Sequence, residues 1–289
     1  MAITPQQIIS KKQAGEKIVS LTAYDYSTAK LIDQTEAVDF ILVGDSLGMV
    51  VLGYPDTVHV TMADMLHHVK AVARGVSRSL VVADMPFLSV HVDLKTAVEN
   101  CGRMLQEGSA QAVKIEGASE WTLQLISRLT EMGIPVMGHL GYTPQSINTL
   151  GIKVQAKTME AAETLIQDAQ ALEAAGAFAV VLEMVPTEVS ALVSRMLTIP
   201  TIGIGAGPNC DGQILVLDDF LGRYPDFTPK FARRYMQFSE DLKAAIQQYA
   251  IDIIAGDFPH IQNESFHFPA DQLENLQAYE TSEKVKCKL

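Results

Sequence analysis

The chain has 289 residues, 48% of them hydrophobic, and a formal net charge of −12. That is ample material for a large buried core, and the acidic balance, with no local block of Lys and Arg, argues against a nucleic-acid-binding surface. Met1 to Ser10 has no basic stretch followed by an apolar one, and no apolar run approaches the roughly 20 residues that span a bilayer, so a cytoplasmic protein is expected.

Thr4 to Ala14 reads as a helix ahead of the first strand, placed to close the bottom of the sheet that follows. Lys17 to Ala23 is the first strand candidate, and Asp25 can cap a helix behind it. Phe40-Ile41-Leu42-Val43-Gly44 runs into Asp45 and Ser46. Thr61 and Asp64 resemble a capping box, with Met65, Val69, Val72 and Val76 at helical spacing after them. Leu80 to Ala83 runs into Asp84, and Asp93 can cap a stripe of Leu94, Ala97, Val98, Cys101 and Leu105. Ala112-Val113-Lys114-Ile115 runs into Glu116. The stripe Leu125, Ile126 and Leu129 follows and stops at Gly133 and Pro135.

Val136-Met137-Gly138 runs into His139. Thr158 opens a stripe through Ala162, Leu165, Ile166, Ala169 and Leu172, closed by Gly176. Ala179 to Leu182 runs into Glu183, before a shorter stripe of Val189, Leu192, Val193 and Met196. Thr201 to Gly205 and Ile214 to Leu217 are the seventh and eighth strands. A last long helix is expected from Thr228, with Pro229 at its first position and Phe231, Tyr235, Phe238, Leu242 and Ile246 on its buried face. The tail from about Ser282 is expected to fray. Cys101, Cys210 and Cys287 stand at no metal-ligand spacing and read as free thiols. No linker or internal repeat interrupts the pattern, so residues 1–289 read as a single domain, with 1–16 as an N-terminal extension.

Strict alternation of strand and helix implies a parallel sheet with right-handed crossovers. An open doubly wound sheet and a closed (β/α)8 TIM barrel both satisfy it. Strand candidates that end one after another in chemically capable residues favour the barrel, which gathers such ends at one rim.

Asp45, Asp84 and Glu116 are then candidates for a divalent cation such as Mg²⁺, which takes hard oxygen ligands. The alternative is that each caps the following helix. Lys114, two residues before Glu116, shares its face of the strand: inside the barrel it needs an anionic partner, and the alternative turns it outward toward the helices and Glu116 with it. It can neutralise the carboxylates or bind an anionic substrate. Glu183, at the end of an apolar strand, is a candidate general base or else a helix-cap partner ahead of Pro186-Thr187. His139 is either catalytic or a hydrogen-bonded structural residue. His59, His67, His68, His91, His260 and His267 read as surface or helix-side residues. Gly203, Gly205 and Gly207 form neither a Walker loop nor a dinucleotide fingerprint, although they can admit a ligand or phosphate to the backbone.

The chain resembles the ketopantoate hydroxymethyltransferase family. The matching stretches are Thr22-Ala23-Tyr24-Asp25, Val43-Gly44-Asp45-Ser46-Leu47-Gly48 with Gly53-Tyr54, Ala83-Asp84-Met85-Pro86-Phe87, and Val113-Lys114-Ile115-Glu116-Gly117. Gly138-His139-Leu140-Gly141, Thr143-Pro144-Gln145, Leu182-Glu183, Gly203 to Gly207 and Cys210 to Leu215 continue the match, roughly from Thr4 to Phe268. The resemblance implies a barrel of the phosphoenolpyruvate/pyruvate type, often a decamer. It implies hydroxymethyl transfer from 5,10-methylenetetrahydrofolate to 3-methyl-2-oxobutanoate, giving 2-dehydropantoate through a Mg²⁺-stabilised enolate, in pantothenate biosynthesis. By position it implies Mg²⁺ ligands at Asp45, Asp84 and Glu116, 2-oxoacid contacts at Asp45, Ser46, Asp84 and Lys114, and a proton acceptor at Glu183. Leu88, Val90 and the loop Leu150-Gly151-Ile152-Lys153 depart from the family pattern, which bears on folate affinity or substrate size. A lyase or mutase on the same barrel, needing no folate, is the competing activity, and a catalytically silent metabolite-binding barrel is the competing non-enzyme.

Overall fold

The computed structural model describes residues 2–224 and 228–281. Their contacts divide the chain into two compact units, Met1–Met236 and Gln237–Leu289. In the first, the order is α1 (Pro5–Gln13), β1 (Ile18–Thr22), α2 (Tyr26–Gln34), β2 (Phe40–Val43), α3 (Leu47–Val50), α4 (Met62–Gly75), β3 (Leu80–Asp84), α5 (Leu94–Gln106) and β4 (Ala112–Glu116). It continues with α6 (Glu120–Glu131), β5 (Val136–Gly141), α7 (Ile147–Leu150), α8 (Met159–Ala174), β6 (Ala179–Glu183), α9 (Thr187–Met196), β7 (Thr201–Ile204), β8 (Gly212–Leu215) and α10 (Leu217–Leu221). Strands β1 to β8 pair in sequence order and β8 closes on β1. The pairing of β1 with β2 and with β8 is parallel. The fold is therefore the (β/α)8 barrel, and the open sheet is excluded.

Side-chain alternation divides each strand between two cores. Ile41, Val43, Val81, Ala83, Val113, Ile115, Val180 and Leu182 face outward into a layer shared with the helices. Phe40, Leu42, Leu80, Val82, Ala112, Met137, Ala179, Val181 and Ile202 fill the barrel interior, together with Ile8 from α1. Helix α1 closes the barrel bottom as expected. Lys11 pairs with Asp39 at 2.7 Å, and Lys12 donates to the carbonyls of Ser194 and Ile199. The capping signals also hold: Asp25, Asp93 and Thr158 each accept from a backbone N–H in the first turn, and Thr61 with Asp64 forms a full capping box.

Three expectations need correction. Strand β8 spans Gly212–Leu215 rather than Ile214 to Leu217, because Ile18 pairs with Gly212 and Leu21 with Leu215. On α9 the buried residues are Ser190, Ala191, Val193 and Ser194, while Leu192 and Met196 are exposed. Hydroxyls replace aliphatic packing there: Ser190 donates to Ala206 O, and Ser194 lies 2.6 Å from Thr201 Oγ1. Periodicity of apolar residues cannot register such a face. The third correction is the long helix expected from Thr228. Residues 228–236 instead fold as turns on the first unit, with Tyr235 N–H bonded to Phe220 O and the two rings stacked at 4.7 Å. The Phe231 ring lies where a Cβ on Gly205 would sit, at 2.8 Å.

The second unit holds α11 (Phe238–Ala255) and α12 (Leu273–Thr281). Helix α11 ends at Gly256 in a left-handed conformation, with no residue buried, so Leu242 and Ile246 form no buried face. Among the described residues no helix is long and apolar enough to cross a membrane. The expected frayed tail, with Cys287, lies outside the described residues.

Candidate active site

The interior row of each strand changes character toward its C-terminal end. On β3 it reads Leu80, Val82, Asp84; on β4 Ala112, Lys114, Glu116; on β6 Ala179, Val181, Glu183. Parallel register then aligns the polar ends. Asp84 is paired with Lys114, Glu116 with His139, and Gly141 with Glu183. An alanine Cβ at Gly141 would lie 2.2 Å from the Glu183 carbonyl oxygen, and φ there is +94°, so only glycine lets β5 pass this close to β6.

Asp45, Asp84, Lys114, Glu116 and His139 are all buried. Lys114 Nζ lies 2.7 Å from Asp84 Oδ1 and donates to His139 Nδ1 at 3.1 Å. An ammonium can only donate, so Nδ1 carries no proton and the ring proton sits on Nε2. That nitrogen lies 3.3 Å from Glu183 Oε2. Asp84 Oδ2 accepts the Asp45 backbone N–H at 3.1 Å. Asp84, Lys114, His139 and Glu183 thus form one connected row across four neighbouring strands, β3 to β6. Ser46 sits apart from this row, its hydroxyl 2.8 Å from the Tyr24 hydroxyl.

Electrostatics follow from burial. Desolvation works against the Lys114 ammonium, but Asp84, Glu116 and Asp45 more than offset it and raise its pKa. Burial, then the charge of Lys114, lowers His139, which keeps the ring neutral. Burial, with the charges of Asp84 and Glu116 added, raises Asp45 well above its usual value. Burial pushes Glu116 from 4.5 up to about 7, with Lys114 opposing and Asp84 adding to the rise.

Stability then depends on pH in a definite direction. A raised carboxyl binds its proton more tightly in the folded state, so the stability present below its unfolded value is lost as pH rises through the folded one. His139, lowered, contributes with the opposite sign, but that contribution is complete once pH exceeds its ordinary 6.5. In EDTA the melting temperature is therefore expected to fall between about pH 6.5 and 8, and to fall less in Glu116→Gln. Melting curves of both proteins check this; a level or rising profile for the parent chain contradicts it.

The donor set fits a hard divalent cation. Glu116 Oε1 is buried without a hydrogen-bond partner, and Asp84 Oδ1 has only the Lys114 ammonium. As the side chains stand, no group of three or more His, Cys, Asp or Glu among the described residues is arranged to hold a metal ion. The residue interposed among the carboxylates is Gln145, which donates to Asp45 Oδ2 at 2.8 Å. Neither Gln145 nor Tyr24 was given a role from the sequence. Their signal is spatial, since Gln145 lies 100 positions from its partner.

A cavity of about 260 Å³ opens beside this cluster, lined by Phe87, Leu88, His91, Glu116, Thr143 and Gln145. Leu88, one of the departures from the family pattern, lines it with φ +64°. Val90 is buried, and its carbonyl accepts the Trp121 indole N–H at 2.8 Å. Among the other histidines, His68 Nδ1 lies 2.6 Å from Tyr24 O. The space beside Gly203, Gly205 and Gly207 is filled by Cys210 and Gln213, by Phe231 and by Thr187, so these glycines serve packing.

The family model for ketopantoate hydroxymethyltransferase matches residues 2–261. A 3-methyl-2-oxobutanoate hydroxymethyltransferase of Dehalococcoides mccartyi is 50% identical over 98% of this chain and 100% of its own. One from Enterococcus faecalis is 53% identical over 92% of this chain and 96% of its own. Among solved structures, phosphonopyruvate hydrolase complexed with oxalate and Mg²⁺ aligns with a TM-score of 0.59 at 14% identity, covering 99% of both chains. The 2,3-dimethylmalate lyase of the PEP mutase/isocitrate lyase superfamily aligns at 0.57 and 16% identity, covering 100% of this chain and 99% of its own. At such identity these two show a shared barrel and nothing about chemistry. The near full-length match to the family model, at half identity to its curated members, establishes that the chain belongs to the ketopantoate hydroxymethyltransferase family.

Proposed function

We propose that the chain transfers a hydroxymethyl group from 5,10-methylenetetrahydrofolate to 3-methyl-2-oxobutanoate, giving 2-dehydropantoate for pantothenate synthesis, with Mg²⁺ held by Asp45, Asp84 and Glu116. The observation that carries the reading is the row of buried Asp84, Lys114 and His139 leading to the partly exposed Glu183 at the barrel mouth, in a chain half identical to proteins named for that reaction. Bound Mg²⁺ would polarise the 2-oxoacid's keto group and make the neighbouring C–H bond more acidic.

The protein's own groups supply the rest. Lys114 offers a fixed positive charge to an anionic substrate in a low-dielectric mouth, where it acts more strongly than in water. Ser46, Asp45 and Asp84 complete the 2-oxoacid contacts. Glu183 takes the proton from C3, and the Nε2–H of His139 beside it keeps its carboxylate oriented. The carbon freed of its proton then bonds to the donor's methylene carbon. That methylene carbon gives up both of its bonds to folate nitrogens, one in exchange for the new carbon–carbon bond and one for the oxygen of water, which becomes the hydroxyl. The C3 proton and one water proton end on the two nitrogens. The buried Glu116 Oε1 supports the cation part of this reading.

The test is exchange of the C3 proton of 3-methyl-2-oxobutanoate with deuterated water. Exchange is expected with Mg²⁺ and without folate, and product only when methylenetetrahydrofolate is added. No Mg²⁺-dependent exchange would overturn the mechanism, and turnover of the 2-oxoacid without folate would favour a lyase or mutase.

A further inference from the structure

Gln145 touches three carboxylate-bearing strand ends without belonging to any strand. It lies in the 3-10 turn Pro144–Ser146 after β5 and is 8% exposed. Its side-chain amide donates to Asp45 Oδ2 at 2.8 Å and to the carbonyl of Met85, the residue after Asp84, at 2.9 Å. Its backbone N–H donates to Glu116 Oε2 at 3.2 Å. Both amide hydrogens are therefore committed.

The carboxylates gathered here repel one another, and burial removes the solvent that would screen them. Left alone they would protonate or turn apart. Gln145 fixes one oxygen of Asp45 and one of Glu116 from a single short turn, and Glu116 Oε1 remains without a partner. A neutral donor suits this task. A lysine or arginine would satisfy the negative charge itself and compete with a cation, while an aliphatic residue would leave the carboxylates unheld.

We propose that Gln145 is the positioning residue of the divalent-cation site, holding the outer oxygens of Asp45 and Glu116 so that each carboxylate keeps one oxygen for the metal. This rests on the Mg²⁺ reading of the site given above. Groups that orient ligating carboxylates typically alter metal affinity by about 10–100-fold when removed.

The test is titration of Mg²⁺ by calorimetry, and of Mn²⁺ by electron paramagnetic resonance, into the full chain and its Gln145→Met and Gln145→Ala variants. Methionine keeps the volume without the donors; alanine lets water replace them in part. Both variants are expected to bind either cation about 10–100-fold more weakly, methionine the more so. The Mg²⁺ concentration giving half-maximal activity should rise by the same factor, with kcat of Gln145→Ala recovering at saturating Mg²⁺. A purely packing role would lower the melting temperature and leave the cation Kd unchanged; that result overturns the inference. So does a loss of kcat that saturating Mg²⁺ fails to restore at an unchanged Kd. If the unsubstituted chain binds neither cation, the Mg²⁺ reading falls as well. If it binds them and both variants bind equally well, only the role of Gln145 falls.

Discussion

Replacing Glu183 by glutamine is expected to lower turnover at least about a hundredfold while leaving 2-oxoacid binding nearly intact, because a positioned general base contributes roughly a hundredfold to ten-thousandfold. The amide has the same shape and can place its oxygen where Glu183 Oε2 stands, 3.3 Å from His139 Nε2, so the row of contacts survives. It loses only the capacity to take a proton. Glu183 suits that task by position as well. It ends β6 on the interior face, and its side chain is 16% exposed while those of Asp84 and Lys114 are 3% and 4% exposed. A base at the boundary between mouth and solvent can pass its proton on; one sealed with Asp84 cannot do so as readily. Steady-state kinetics should show kcat falling with little change in KM, and C3 exchange should fall by the same factor. Near-normal exchange in Glu183→Gln would remove Glu183 from the proton transfer.

The parts of this molecule that obey a repeat were legible in its sequence. Lys114 and Glu116 are two apart, so period-two alternation alone puts both inside the barrel once Ala112 is inside. Asp84 and Glu183 stand at the same step of their own strands. The capping box at Thr61 and Asp64 is equally local. Gln145 was not legible, because a turn has no periodicity and its partners Asp45 and Met85 are 100 and 60 positions away. Nor was the polar inner face of α9, where Ser190 and Ser194 pack through hydroxyls. The start of α11 was misplaced for a different reason. Pro229 and the aromatics after it match a helix start locally, but Phe231 is drawn onto Gly205 and Tyr235 onto Phe220, and tertiary contacts override the local preference. The His139 tautomer also needed the fold, since it is set by an ammonium 25 positions earlier.

Lys114→Met is expected to abolish turnover and to destabilise the metal-free protein by about 3–5 kcal/mol near pH 8, the usual cost of removing one partner from a buried ion pair. Methionine fits the stem's volume, so little of the effect comes from a cavity. What is lost is the charge that Asp84 meets at 2.7 Å and the donor that His139 Nδ1 meets at 3.1 Å. Asp45, Asp84 and Glu116 then share a dry site with no cation of the protein's own among them. Protonation relieves them at low pH, so the deficit relative to the parent chain should shrink toward pH 5 and widen toward pH 8. Added Mg²⁺ supplies positive charge to the same carboxylates. It should recover part of the stability at pH 8, by RT ln(1 + [Mg²⁺]/Kd). Turnover should stay lost, since the fixed charge facing the substrate and the constraint on the His139 tautomer are both gone. Urea unfolding of the two proteins at pH 5 and pH 8, with EDTA and with Mg²⁺, separates these effects. Equal stability of variant and parent at pH 8 in EDTA would mean that Lys114 is not what lets these carboxylates stay together.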